Sequence, residues 1–130
     1  MPKVDKLDRL IGDYLTGRLD AAIKMRELYL RRPKHQDSLG VQVQRNNTAP
    51  QEAAYIRVES DDRLAELKYQ KEILDIYWSI ADEDTKEALA LYHKRGLNWS
   101  GVSIEMYISR KALYKINCKF KDSIRDLLSI

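Results

Sequence analysis

The chain has 130 residues, 44% of them hydrophobic and 33% charged, with only five glycines and three prolines. That length fits one compact domain or two small ones, and a composition rich in Leu, Ala, Glu, Lys and Arg favours helices, so an all-α protein is expected. A single cysteine, Cys118, excludes an internal disulfide framework, and a net charge of +3 identifies no partner by its size alone.

From Val4 to about Arg31 the apolar residues Leu7, Ile11, Tyr14, Ala21, Met25 and Leu28 recur at spacings of three and four, which predicts one face of a long helix. Gly12 and Gly17 each weaken such a helix by roughly 1 kcal/mol relative to Ala, so it needs a packing partner. Leu10, Leu15, Leu19 and Ile23 add apolar surface beside the stripe, and some of it is expected to remain for another subunit or for RNA polymerase.

Periodicity is lost over residues 32–47, where Pro33, Gly40 and polar side chains read as a flexible connector. Thr48-Ala49-Pro50-Gln51 has the form of a capping box with proline in the first turn, and predicts a second helix. That helix should pause at Ser60-Asp61-Asp62 before continuing through Leu64, Leu67, Leu74, Trp78 and Ala81, with Ile73, Ile76 and Ile80 as a second stripe. Packed against the first helix it would form a long N-terminal hairpin, so residues 1–81 are expected to be a helical interaction and oligomerisation region. The most apolar stretch, Ile73 to Ala81, falls far short of the roughly 20 residues a membrane helix needs and is broken by Asp75. With no export leader recognisable, a cytoplasmic protein without a membrane role is expected.

Residues 82–130 read as a three-helix, helix-turn-helix DNA-binding domain. Asp84-Thr85-Lys86-Glu87 has the form of a capping box opening a helix through Ala88, Leu91 and Tyr92, with Gly96 as its terminal glycine. Asn98 can cap a short second helix, Trp99 to Met106, and Tyr107-Ile108 forms the turn. Ser109 caps the third helix, in which Leu113, Ile116, Phe120, Ile124 and Leu127 face the core. The complementary face opens with Arg110, Lys111, Tyr114 and Lys115, with Lys119 a further turn down, which is the end of a recognition helix that enters the major groove. Ser109 and the free N–H groups at that end can hold a phosphate. Charge agrees with this placement. Residues 94–121 carry seven lysines and arginines against Glu105 alone, whereas residues 36–81 hold five basic and eight acidic side chains.

Several residues carry no special chemistry. His35 and His93 lack a partner at metal-ligand spacing, and no metal or cofactor is expected. Without a phosphate loop, nucleophile elbow or recognisable carboxylate pair, the chain does not read as an enzyme. Trp78 and Trp99 read as core anchors.

The run Gly96-Leu97-Asn98-Trp99 through Val102, Met106, Ile108-Ser109 and Leu113-Tyr114-Lys115 resembles the helix-turn-helix of sigma-factor-like regulators, and more narrowly that of the RinA/ArpU-like late-transcription regulators of phages. Arg26-Glu27-Leu28 and Glu59-Ser60-Asp61-Asp62-Arg63-Leu64 are similar to that family as well, so the resemblance covers nearly the whole chain. It implies a phage-encoded activator of late genes in the host cytoplasm, acting with host RNA polymerase. DNA-reading residues would fall on Ser109, Arg110, Lys111, Tyr114 and Lys115. Two positions depart from the pattern: Gly101 stands in the second helix where a better helix former is usual, and Tyr107 stands where the turn often has glycine. A homodimer on double-stranded DNA is the expected assembly. Two other functions fit the same outline, a phage small terminase subunit and a protein that binds RNA polymerase without touching DNA.

Overall fold

The computed structural model describes residues 4–32 and 50–129, and every regular element among them is helical. In chain order these are α1 (Lys6–Thr16), α2 (Arg18–Arg31), α3 (Pro50–Ser60), α4 (Asp62–Ile80), α5 (Glu83–Leu89), a π-helical turn (Ala90–Lys94), α6 (Trp99–Met106) and α7 (Arg110–Leu128). The connector from residue 33 onward and Thr48-Ala49 of the expected capping box lie outside the described residues, while α3 does begin at Pro50.

α1 opens with a reciprocal capping box. The Asp5 carboxylate accepts from the Asp8 N–H at 2.8 Å, and the Asp8 carboxylate accepts from the Asp5 N–H at 3.1 Å. The helix ends at Gly17, whose φ of 86° lies in the left-handed region that glycine enters without a Cβ penalty. The single helix expected from Val4 to Arg31 is therefore two, and the break re-phases the apolar series. Leu7 and Ile11 are buried in α1, but in α2 the buried residues are Leu19, Ile23 and Leu30, whereas Met25 and Leu28 are exposed. Of the apolar residues expected beside the stripe, Leu19 and Ile23 thus belong to the interior.

The chain forms two compact units, Met1–Asp20 with Gln70–Ile130 and Ala21–Tyr69, divided within α2 and α4. Within the larger unit α1 packs against the π turn and α7. In the smaller unit Ile23, Leu30, Val58, Leu64 and Leu67 are buried. Asp61 holds two helices there: it accepts from Arg26 Nε at 3.0 Å and Nη2 at 2.8 Å, and caps α4 by accepting from the Leu64 N–H at 2.7 Å. The pause expected at Ser60-Asp61-Asp62 is this cap. Arg57 Nε donates to the Leu30 carbonyl at 2.7 Å, satisfying an orphan acceptor at the end of α2.

The larger unit is built around Ala88, Leu91, Val102 and Leu113, with Tyr92, Leu97, Trp99, Met106, Ile108 and Ile116 packed against them. Trp99 stacks on Tyr92 with ring centroids 4.2 Å apart, and Trp78 meets Phe120 edge-on at 6.3 Å. Of the two stripes expected on α4, Leu74 is fully buried in this unit while Ile76 and Ile80 are exposed. α5 starts two residues earlier than expected: its cap is Asp82, which accepts from the Thr85 N–H at 2.8 Å, rather than Asp84. The helix then widens at Ala90–Lys94 before Gly96 turns the chain with φ of 73°.

Candidate nucleic-acid interface

α6 and α7 are set by two side-chain caps, both at the positions the sequence indicated. Asn98 Oδ1 accepts from the Gly101 N–H at 2.8 Å, and Ser109 Oγ accepts from the Ala112 N–H at 3.1 Å. Between them the chain reverses at Tyr107, which adopts φ 58° and ψ 38°. The turn is pinned from both sides: the Ile108 N–H donates to the Ser103 carbonyl, and the Ser103 hydroxyl donates to the Ile108 carbonyl at 2.6 Å.

This geometry points one side of α7 inward and leaves the start of the other open. Leu113, Phe120 and Ile124 are buried as expected. At the end of the helix Leu128 is buried instead of Leu127, which is 42% exposed. On the opposite side Arg110, Lys111 and Lys115 are exposed and form no ion pair among the described residues. Tyr114 is 44% exposed, and the Cys118 side chain one turn on pushes its phenol pKa up. Ser109, Arg110, Lys111, Tyr114 and Lys115 therefore come together at the first turns of α7.

Lys119 does not join them. It lines a separate hollow with Asp82, Thr85, Ile116 and Phe120, and its charge helps hold the Asp82 carboxyl low, after the larger effect of the Thr85 hydrogen bond. Lys121, counted within the basic stretch, is only 7% exposed. Its ammonium lies 3.1 Å from both Asp5 and Asp8, so the charge is spent inside the protein. Burial opposes the charged forms here, but the ion pairs outweigh it. Lys121 is raised, while the Asp8 N–H and Lys121 hold Asp5 down at about 2. No charge pattern in the sequence distinguishes Lys121 from its exposed neighbours, because its partners lie more than a hundred residues away.

Beside this pair, Asp8, Arg9, Gly12, His93, Leu97 and Asn98 line an open hollow of about 630 Å³. Burial lowers the His93 pKa against an opposing pull from Asp8, and His93 Nε2 has no hydrogen-bond partner among the described residues. Among the described residues no group of three or more His, Cys, Asp or Glu could hold a metal ion, and no helix is long and apolar enough to cross a membrane.

The motif segments around Arg26 and Asp61, far apart in sequence, meet through the ion pair in the smaller unit and have a structural explanation there. Tyr107, one of the two positions that depart from the pattern, is 95% exposed. No curated protein and no solved structure matches the chain. The chain belongs to the family described as "Protein of unknown function (DUF722)", which matches residues 3–126.

Proposed function

We propose that this member of the family is a sequence-specific double-stranded-DNA-binding regulator, with α5, α6 and α7 acting as a helix-turn-helix and the start of α7 as its reading head. The observation that carries the reading is the grouping of Ser109, Arg110, Lys111, Tyr114 and Lys115 at one exposed helix end, directly after a capped turn. An α-helix fits the major groove, and a recognition helix enters it by its N-terminal residues. Arg110 is suited to bidentate contact with guanine, while Lys111 and Lys115 are suited to phosphate or guanine acceptors. The N–H groups at the same end favour an anion through the helix dipole.

The reading is of a binding protein, not an enzyme. The resemblance to RinA/ArpU-like regulators supplies its narrower form, an activator of phage late genes working with host RNA polymerase. Fluorescence anisotropy of the full chain with labelled duplex DNA tests it. Each phosphate contact should contribute about −0.9 to the slope of log affinity against log salt, and each lost base contact should cost about 1–3 kcal/mol. Lys111→Ala with Lys115→Ala should weaken binding without changing the circular-dichroism spectrum. Unchanged affinity in that variant, or a salt slope near zero, would reject this face.

A further inference from the structure

Tyr107 combines two features that oppose each other. Its backbone is left-handed, a conformation that costs any residue with a Cβ more than it costs glycine. At the ends of α1 and of the π turn that conformation is taken by Gly17 and Gly96; at the end of α7 a small residue, Ser129, takes it. Here it is borne by a large aromatic side chain that is 95% exposed, so packing inside the protein offers almost nothing to offset the strain. The turn itself does not require tyrosine, because its hydrogen bonds come from backbone groups and Ser103. Strain held at an exposed position without internal reward is the pattern of a contact made outside the chain.

The surroundings indicate what that contact is. Ile104, one turn earlier on α6, is also exposed, and the next residues are the Ser109 cap and the unpaired cations Arg110 and Lys111. A polyanion is drawn to this end, and a phenol offers it both a flat apolar face and a hydrogen-bond donor. Resting on the DNA-binding reading above, we infer that Tyr107 is a further DNA-contacting residue whose hydroxyl donates to a backbone phosphate at the edge of the groove entered by α7. Because it precedes the helix, it meets the sugar–phosphate edge rather than base edges. It adds affinity and register without reading sequence.

The strain makes the test discriminating, since replacing Tyr107 with glycine relieves the backbone while removing the contact. The full chain, Tyr107→Gly and Tyr107→Phe are titrated against a labelled short random-sequence duplex at low salt, and each is melted thermally. Tyr107→Gly should bind about three- to tenfold more weakly while its thermal midpoint holds or rises by about 4 °C. Tyr107→Phe, which lacks only the hydroxyl, should show most of the same loss. If the wild-type chain binds and either variant binds equally well, the contact is refuted and Tyr107 serves another partner or none. A loss of affinity accompanied by a lowered midpoint in Tyr107→Gly refutes it too, because the residue would then support the fold. A wild-type chain that does not bind the duplex refutes the DNA-binding reading itself.

Discussion

Replacing Asp8 with alanine should be among the most damaging single changes in the larger unit. Lys121 is buried, and its ammonium is shared 3.1 Å each from Asp8 and Asp5. Removing one partner of a buried ion pair usually costs about 3–5 kcal/mol, because the remaining charge is stranded. Asp5 stays behind as a second, more exposed partner, which moves the expectation to the low end, about 3 kcal/mol. Taking an unfolding entropy of about 2.1 cal/mol/K per residue over 130 residues, that is a fall of roughly 11 °C in the thermal midpoint. Urea unfolding of the full chain measures it, in a cycle with Lys121→Met and the double variant. The double variant should lose only about 1 kcal/mol, since it leaves no stranded ammonium. A loss below about 0.5 kcal/mol for Asp8→Ala, or single losses that simply add in the double variant, would show that the pair is not coupled as its burial requires.

Leu128→Ala should cost about 2 kcal/mol, as a core truncation near a helix end, whereas Leu127→Ala should stay within about 0.5 kcal/mol; equal effects by urea denaturation would reject the register of α7. Gly12→Ala would normally strengthen a helix by about 1 kcal/mol, but the added Cβ would sit 3.0 Å from His93 Nδ1, so the change should destabilise the chain. In a His93→Ala background the same change should stabilise it, and a gain in both backgrounds would show that the two residues are not in contact. Acid should weaken the fold in two stages. His93 is lowered from its ordinary 6.5, so the unfolded chain binds this proton more readily, and stability present above 6.5 declines as pH falls below it. Asp5 is lowered from 3.8 to about 2, so its contribution is present above 3.8 and is lost as pH falls to about 2. Urea midpoints across pH should lose the first decline in His93→Gln and keep the second; an unchanged first decline would mean another group causes it.

Much of the local structure is legible in the residues themselves. The Asp61 cap, the Asn98 and Ser109 caps, Gly96 and the turn at Tyr107 all rest on interactions spanning a few residues. Side-chain caps and left-handed turns satisfy nearby backbone groups, so residue type and spacing suffice to place them. The core face of α7 through Leu113, Phe120 and Ile124 is legible for a similar reason, since a period of 3.6 marks it.

Tertiary structure decided which of several plausible faces is buried and which charges are free. Gly17 could have been absorbed into one long helix; its left-handed turn instead sends Leu19 and Ile23 inward and leaves Met25 and Leu28 outside. Lys121 reads like Lys115 in sequence, yet one is buried against carboxylates from α1 and the other stands in solvent. The same packing joins α1 to the C-terminal helices, which no boundary drawn along the chain could show. Local hydrogen bonds place helix ends, but burial and ion pairing depend on partners distant in sequence, and only the folded chain chooses among them.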